Sequence, residues 1–459
     1  MSRGRVAIIG AGPIGLETAA YARIEGYDVT VLEQGDAIAA HVREWGGVRL
    51  FSPFGMNASP WGRRLLEQAG QGRRLPPADA LLTGDEFIEA YLEPLAQHPV
   101  LGDVIHLRSR VVGVGRPGVL KTELSARARR SQPFRILVET RDENQRGSVR
   151  EWDLWADIVV DCSGTYGQTN WVGAGGMPCP GERELVSPAD HRIYDPDEDP
   201  RSVQRAGEAD RSVADPDGAR CLDAWIVIVG AGYSAATSVL NVAAAAESEN
   251  AVLWITRRGD RGTPIPVIAD DPLPERRRIT ERANALATGG RPCVRWLPGF
   301  EVVRIAQGRT RRLRLTVRRT SFASAGSAGR GELSASDESG RTDLRSCGGV
   351  FAADFQNNDV AIECDRLVAN VGYRPDWEPL RELQVHQCYA TEGPIKLAAA
   401  LLGETGADCL ATTSLDDPSL LRNPEPGLFV LGAKSFGRNS NFLLATGHRQ
   451  IRQVFDNLV

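Results

Sequence analysis

The fold is decided by residues 5–20, which read RVAIIGAGPIGLETAA. An apolar run leads into three glycines spaced as G-x-G-x-x-G, and an alanine-rich stretch follows. A second apolar run, YDVTVLE, occupies residues 27–33. Strands that are apolar throughout, with no polar alternation, are typical of parallel sheets covered on both faces. The pattern therefore predicts a strand, a tight glycine turn, a helix and a second parallel strand.

The same pattern recurs near the middle of the chain. Residues 225–239 read WIVIVGAGYSAATSV, and residues 251–258 read AVLWITRR. Ala235 replaces the third glycine and still permits close packing of helix against strand. Because 459 residues are too many for one compact core, we expect more than one domain. The two units predict an α/β fold with two Rossmann-like dinucleotide-binding domains, the second inserted in the first.

The expected domain boundaries follow the two repeats. We expect the first domain to span residues 1–220 and 371–459, and the second to span 221–370. The stretch 186–220, rich in Asp, Pro, Arg and Ser, is interpreted as a surface crossing between them. Two apolar strands that end in small-residue turns, at residues 157–167 and 366–375, lie where the chain would leave and re-enter the first domain.

The first glycine turn has the features of a phosphate site. Its first glycine permits the bend, its second lets a pyrophosphate approach the backbone, and its third lets helix and strand pack closely. The N-terminus of the following helix offers free N–H groups to phosphate. Glu33 ends the second strand, where a carboxylate can accept hydrogen bonds from a ribose. The turn residues expected to bind this dinucleotide are Gly10, Gly12, Pro13, Ile14 and Gly15.

The second glycine turn differs in the residues that follow its second strand. Arg257 and Arg258 stand where the first repeat has a carboxylate. A guanidinium suits a 2′-phosphate, and such a charge-assisted hydrogen bond contributes about 1.5–3 kcal/mol. The pattern favours NADPH over NADH, although solvated surface arginines are the alternative interpretation. The expected turn residues are Gly230, Gly232, Tyr233, Ser234 and Ala235.

Further candidates come from loops that follow the predicted strands. Residues 41–61 mix aromatic and small polar side chains, as a ligand pocket does. Asn57 is the candidate catalytic residue, with an ordinary packed loop as the alternative. A last helix opening near residue 441 would stabilise a reduced flavin through its N-terminus. The other candidate cofactor-binding residues are Trp45, Ser52, Met56, Ser163, Gly164, Gly372, Gly432, Asn441, Phe442 and Leu443.

These motifs together resemble the flavoproteins with two dinucleotide-binding domains, including the NADPH-dependent flavin monooxygenases of class B. The stretches GPIGL at residues 12–16 and YSAA at 233–236 look like the N-hydroxylating branch. The resemblance implies FAD in the first domain and NADPH in the second. It also implies a C4a-hydroperoxyflavin that oxygenates a small nitrogen- or sulfur-bearing metabolite. Two departures are Gly432-Ala433, where dithiol reductases have Gly-Asp, and a missing F-x-G-x-x-x-H signature before Trp225.

Two alternatives remain open beside the monooxygenase. One is a flavin reductase that passes electrons to a quinone or a protein partner, and the other is a non-catalytic FAD-binding redox sensor. The chain has eight cysteines, and no two of them form a C-x-x-C pair. Because a dithiol reductase needs two thiols close together beside the flavin, this spacing disfavours a dithiol mechanism.

Composition narrows the expected partners. The formal net charge of −5 gives no reason to expect a nucleic acid. No apolar run approaches the roughly 20 residues of a membrane span, and residues 6–9 are too short for a signal peptide. A cytoplasmic protein is therefore the expectation. None of the six histidines has metal-ligand spacing. The expected partners are a small-molecule substrate and oxygen, and assembly into a homo-oligomer stays open.

Overall fold

The first repeat forms the elements that its pattern predicts. Strand β1 (Arg5–Ile9) leads into helix α1 (Pro13–Ile24), and β2 (Asp28–Leu32) lies parallel to β1. Val6 and Ile8 belong to one hydrophobic cluster, whereas Ala7 and Ile9 belong to another. Alternate side chains of β1 thus enter cores on opposite faces of the sheet, which explains why residues 6–9 are all apolar.

The computed structural model describes residues 2–70, 72, 75–141, 148–196, 221–245, 251–259, 262–290, 292–309, 312–320, 359–403 and 416–458. The chain divides into two compact units. The first unit contains Met1–Thr169 and Tyr373–Val459, and the second contains Asn170–Gly372. The second unit therefore interrupts the first in sequence.

The first unit contains a parallel sheet of five strands. Their order is β14-β7-β1-β2-β3. An antiparallel sheet of three strands, in the order β4-β5-β6, belongs to the same unit. The bounds of these further strands are β3 (Ile105–His106), β4 (Ser109–Gly115), β5 (Phe134–Arg141), β6 (Val149–Ala156), β7 (Ile158–Asp161) and β14 (Leu428–Val430).

Helices of this unit are mostly short. The longest besides α1 is α13, which is amphipathic and packs against α1. The bounds are α2 (Ala40–Arg43), α3 (Phe54–Asn57), α4 (Pro60–Gln68), α5 (Gly84–Phe87), α6 (Glu93–Ala96), α7 (Ala126–Arg130), α11 (Ile395–Gly403), α12 (Ala433–Phe436) and α13 (Leu444–Phe455). A π-helical turn, Ile88–Leu92, joins α5 to α6, and 3-10 turns occupy Glu378–Leu380 and Pro418–Leu421.

The second unit is built on one sheet of six strands in the order β10-β9-β8-β13-β12-β11. The first four are parallel, and β12 and β11 extend the sheet as an antiparallel pair. The bounds are α8 (Glu182–Leu185), β8 (Cys221–Val229), α9 (Tyr233–Ala245), β9 (Val252–Thr256), α10 (Pro274–Ala285), β10 (Val294–Pro298), β11 (Phe300–Gln307), β12 (Leu313–Arg319) and β13 (Val360–Ala369). A π-helical turn, Leu286–Gly290, follows α10, and 3-10 turns occupy Ala174–Gly176 and Pro188–His191.

The first domain boundary lies earlier than residue 220. Residues 170–196 belong to the second unit. The buried Glu182 carboxylate accepts hydrogen bonds from the backbone N–H groups of Val172, Gly173 and Cys179. Tyr194 is 1% exposed, and its N–H donates to Ser238. Residues 186–196, expected to cross between the domains, thus fall within the second unit, with residues 187–189 exposed, and residues 197–220 lie outside the described part of the chain.

Within the described ranges, no helix combines the length and the apolar character needed to cross a bilayer. The same residues contain no group of three or more His, Cys, Asp or Glu side chains placed to hold a metal ion.

Candidate functional site

The first glycine turn has little or no room for a side chain at Gly10 and Gly15 and has free space at Gly12. A Cβ on Gly15 would lie 1.9 Å from the carbonyl oxygen of Gly10, so helix and strand meet there without room for a side chain. Gly10 has φ +96°, a conformation that favours glycine. A Cβ on Gly12 would meet no described atom within 4 Å. Gly12 is also the N-cap of α1 and makes no side-chain cap bond, which leaves the first N–H groups of the helix for an anion.

Ile14 joins this turn to the C-terminal segment of the chain. A Cβ on Gly432 would lie 3.4 Å from Ile14, and one on Gly447 would lie 2.4 Å from the Ile14 Cδ1 atom. The Gly432 N–H donates to the Gln450 side chain over 2.9 Å. These contacts hold the Gly432 turn and the first turn of α13 against the first glycine turn. The predicted residues Gly10, Gly12, Ile14, Gly15 and Gly432 thus come together, and Pro13 is the first residue of α1.

Glu33 lies at the carboxyl end of β2 and is 7% exposed. Its two carboxylate oxygens accept hydrogen bonds from the N–H groups of Ala11 and Gly35, each over 2.8 Å. Each oxygen retains a second lone pair for a ribose hydroxyl. The backbone therefore fixes this carboxylate beside the first glycine turn.

A buried ion pair that the sequence analysis missed lies at the end of β7. Lys434 Nζ is 2.5 Å from Asp161 Oδ2, and both side chains are 1% exposed. Asp161 Oδ1 accepts hydrogen bonds from the Ser163 N–H and hydroxyl, and Lys434 also donates to the Ser163 hydroxyl. The predicted Ser163-Gly164 turn is therefore held by two buried charges. A sequence signal existed, since an aspartate ends an otherwise apolar strand.

The loop after β2 places its candidates in local contacts. The Ser52 hydroxyl donates to Asn57 Oδ1 over 2.6 Å, and Asn57 Nδ2 donates to the Ser52 carbonyl over 2.8 Å. Asn57 is 1% exposed, and these contacts use its amide to close its own turn. Its catalytic role stays a prediction that these contacts do not support. Trp45 and Met56 are half-buried, and Trp45 packs against Gly84.

The last helix begins later than predicted. Helix α13 starts at Leu444, and Leu443 is its N-cap without a side-chain cap bond. Asn441 is exposed, and its N–H donates to the Asn439 side chain, which keeps the chain in a turn there. Phe442 packs edge-on against Phe436 at 5.4 Å. Of the three predicted residues, only Leu443 lies at the start of the helix.

The second glycine turn repeats the first in the second unit. Gly230 has φ +144°, and a Cβ there would lie 2.2 Å from the Asn370 carbonyl oxygen. A Cβ on Gly232 would meet no described atom within 4 Å. Ala235 is fully buried, so its methyl group is accommodated where the first repeat needs glycine. Tyr233 and Ser234 begin α9 and are half-buried.

Asn370 and Gly372 organise the end of β13. The Asn370 side chain accepts a hydrogen bond from the Ser238 hydroxyl over 2.7 Å and donates to the carbonyls of His191 and Arg192. Gly372 has φ +85°, and its carbonyl accepts the Asn170 N–H. Gly372 therefore shapes the last turn of the second unit, and a contact with a cofactor stays a prediction.

Arg257 and Arg258 follow β9 and expose their side chains. Their backbone is anchored, because the Thr320 hydroxyl donates to the Arg257 carbonyl and the Thr256 hydroxyl donates to the Arg258 carbonyl. The end of β9 lies beside the glycine turn, since the Gly230 N–H donates to the Ile255 carbonyl over 3.1 Å. The two guanidinium groups thus extend from a fixed backbone at the carboxyl edge of the sheet.

The thiol beside the first turn is not ionised at neutral pH. Cys162 is buried, and burial raises its pKa to about 12. Cys179 lies in the second unit, and its pKa is raised to about 12 in the same way. A protonated thiol is a poor nucleophile. Five free cysteines have described side chains, and each of these is buried: Cys162, Cys179, Cys293, Cys364 and Cys388.

Comparisons with known proteins agree with this geometry. Residues 1–46 match the family model described as pyridine nucleotide-disulphide oxidoreductase. No curated protein matches the sequence. A bacillithiol disulfide reductase from Bacillus cereus has a TM-score of 0.58 and 17% identity, with 98% of this chain and 97% of that chain covered.

Two further solved structures are similar over nearly their whole length. The thioredoxin reductase of Lactococcus lactis has a TM-score of 0.51 and 13% identity, covering 98% of this chain and 96% of that chain. A desferrioxamine-pathway cadaverine monooxygenase from Erwinia amylovora, bound to FAD, has a TM-score of 0.52 and 14% identity, covering 98% and 94%. The chain therefore has the fold of the FAD and NAD(P) oxidoreductases with two dinucleotide-binding domains.

Proposed function

We propose that this chain is an FAD-dependent oxidoreductase that takes hydride from NADPH. The observation that carries the proposal is the pair of glycine turns, each closed by a backbone contact and each open at its second glycine. FAD is assigned to the first unit and NADPH to the second. The family model over residues 1–46 covers the first turn, and the similar structures include one bound to FAD.

The first unit supplies three kinds of contact to FAD. The N-terminus of α1 stabilises the pyrophosphate, and Glu33 orients a ribose through its free lone pairs. The uncapped N-terminus of α13 places positive potential beside the Ile14 contact, where it stabilises negative charge. When bound, FAD supplies the redox chemistry, and these groups bind and orient it.

The second unit selects the nicotinamide cofactor. The turn Gly230-x-Gly232 takes the pyrophosphate at α9, and the exposed side chain of Arg257 binds the 2′-phosphate. The end of β9 carries no carboxylate that would repel that phosphate. These features favour NADPH over NADH.

We propose further that the reaction is a monooxygenation of a small nitrogen- or sulfur-bearing metabolite. The protonated, buried Cys162 is the described thiol next to the FAD turn, and it cannot relay electrons as a thiolate. A bound FAD would then give its electrons to a second substrate without a thiolate at Cys162. Oxygen is that substrate in a monooxygenase: one atom enters the product, and the other leaves as water with NADPH oxidised to NADP+.

The second candidate is a reductase that passes the same electrons to an external acceptor. The family model and the similarity to two disulfide-reducing enzymes favour it. A quinone, a protein partner or a low-molecular-weight disulfide would take two electrons and two protons. In this case, too, bound FAD would give electrons to the acceptor without a thiolate at Cys162.

An oxygen-labelling experiment separates the two candidates. The FAD-loaded protein is reduced by NADPH under nitrogen and then given isotopically labelled oxygen with primary amines and thioethers. Label in an oxygenated product supports the monooxygenase. Stoichiometric reduction of a quinone or a disulfide under nitrogen, with no labelled product in air, assigns the reductase instead. A flavin that NADPH does not reduce overturns both.

A further inference from the structure

We propose that the buried pair Lys434–Asp161 sets the electron affinity of the flavin through two opposed charges. The inference rests on the assignment of FAD to the first unit. Lys434 favours the reduced, more negative flavin, and Asp161 opposes it, so the potential depends on the balance between them.

The pair is fully enclosed and directly bonded. Lys434 Nζ lies 2.5 Å from Asp161 Oδ2 and 3.2 Å from the Ser163 hydroxyl. Both charged side chains are 1% exposed. Removing two charges from water costs several kcal/mol per ion before their attraction offsets it. Replacing such a pair with apolar residues is often neutral or stabilising, so its presence calls for a use beyond stability.

The pair lies at the edge of the sheet where ligands bind in open α/β folds. Asp161 is the last residue of β7, in register with Ile9 of β1 and Val430 of β14. Ser163, bonded to both charges, has its Cα 3.1 Å from where a Cβ on Gly10 would lie. Ser163 is therefore the one residue between the Lys434–Asp161 pair and the first glycine turn.

Burial makes these charges effective over distance. Fields from buried groups are screened less by water and salt than fields from surface groups. Reduction adds negative charge to the flavin, and a nearby cation stabilises that charge while a nearby carboxylate destabilises it. The competing explanation is a structural tie between β7 and α12. A tie weakens in the same sense whichever partner is removed, whereas the two charges act with opposite signs.

The test measures the sign of each effect. Lys434→Met, Asp161→Asn and the double variant are loaded with FAD and equilibrated anaerobically with a reference dye. We expect K434M to lower the equilibrium constant for flavin reduction about tenfold, about 30 mV for a two-electron couple. We expect D161N to raise it by a similar factor and the double variant to return close to the parent. Shifts of both single variants in one direction, or no shift, overturn the proposal.

Flavin affinity provides a second readout if a single variant fails to retain FAD. The FAD pyrophosphate is negative, so D161N should bind FAD more tightly than K434M, and the neutral double variant should lie between them. Equal weakening in both single variants contradicts the proposal. Arg5→Met and Asp157→Asn are the matched controls, because that exposed pair ties the opposite ends of β1 and β7. These controls should leave the potential unchanged.

Failure of this inference is distinct from failure of the proposed function. A parent protein that binds no FAD, or whose FAD is not reduced by NADPH, removes the proposed function. If the parent binds FAD and NADPH reduces it, but the variants fail the sign test, only the role proposed for the Lys434–Asp161 pair is refuted.

Discussion

At the residue scale, Gly12 and Gly15 make different demands on the same turn. A Cβ at position 15 would overlap the Gly10 carbonyl oxygen, whereas a Cβ at position 12 enters open space. We expect Gly15→Ala to destabilise the apoprotein by about 1–3 kcal/mol. Gly12→Ala should change stability by no more than about 0.5 kcal/mol and weaken FAD binding about tenfold or more, because the methyl group occupies the phosphate position.

Urea unfolding of the apoproteins and FAD titration check this pair of variants. A stable Gly15→Ala variant would contradict the close contact. Unchanged FAD affinity in Gly12→Ala would show that the FAD pyrophosphate does not bind at the first turn.

In the proposed function, Arg257 determines the preference for NADPH over NADH. Its charge-assisted bond to a 2′-phosphate contributes about 1.5–3 kcal/mol, so Arg257→Ala should raise the KM for NADPH by about one to two decades. The KM for NADH should hardly change. Arg304→Ala, which removes an exposed arginine on β11, is the control. Equal losses for NADPH and NADH in Arg257→Ala would show that this side chain does not read the phosphate.

The sequence predicted the glycines better than it predicted the charges. Gly10, Gly15 and Gly230 follow from spacing because a backbone contact excludes every other residue there. Lys434 and Asp161 lie 273 residues apart in the chain, and only the sheet order β14-β7-β1 brings them together. Long-range pairing of this kind leaves no local pattern to detect.

At the element scale, one carboxylate holds three segments of the first unit together. Glu425, just before β14, bonds Arg116 after β4 over 2.6 Å and Arg129 of α7 over 2.9 Å. All three side chains are at most 2% exposed. Glu425→Gln leaves two buried cations without a counter-charge and should lower the free energy of unfolding by about 3–5 kcal/mol.

The control for Glu425 is an exposed pair in the same unit. Arg135 and Asp153 lie 2.9 Å apart with both side chains more than a third exposed, so Asp153→Asn should cost less than about 1 kcal/mol. Urea unfolding measures both variants. A Glu425→Gln protein as stable as Asp153→Asn would refute the buried-charge argument.

The contact between α1 and α13 should depend on pH. His448 of α13 is buried 3.7 Å from Glu17 of α1, and burial lowers its pKa below 6.5, although the Glu17 carboxylate opposes this. The folded state thus takes up this proton at lower pH than the unfolded state. Stability is therefore present above pH 6.5 and is lost as the pH falls below it, by at most about 1.4 kcal/mol per pH unit.

His191 is also buried with a lowered pKa and contributes to the same slope. His448→Gln should therefore make the fall in unfolding free energy below pH 6.5 shallower without abolishing it. Identical slopes in the parent and His448→Gln would mean that the buried imidazole titrates as it does in the unfolded chain.

The elements predicted from the sequence are those in which burial is visible as a run of apolar residues. Strands β1, β2, β8 and β9 are mostly apolar, because both faces of a parallel sheet are covered. Residues 170–196 were misplaced, because their packing depends on a few polar groups. The buried Glu182 carboxylate accepts backbone N–H groups, and the buried Tyr194 donates its N–H to Ser238. The residues around them in sequence are polar and therefore suggest an exposed stretch.

At the scale of the whole molecule, the proposed function requires one chain that holds two dinucleotides. Each unit carries its own glycine turn, and the second unit is inserted in the first. The proposed function requires that both turns be filled. Gly12→Ala and Gly232→Ala should therefore fail at different steps. The former loses FAD, whereas the latter retains FAD that NADPH reduces slowly.

Anaerobic titration of the FAD-loaded protein with NADPH tests this claim most directly. We predict that the visible absorbance of the flavin disappears at one NADPH per FAD and that NADH is a much poorer donor. A protein that takes up no flavin, or a bound flavin that excess NADPH leaves oxidised, would contradict the account.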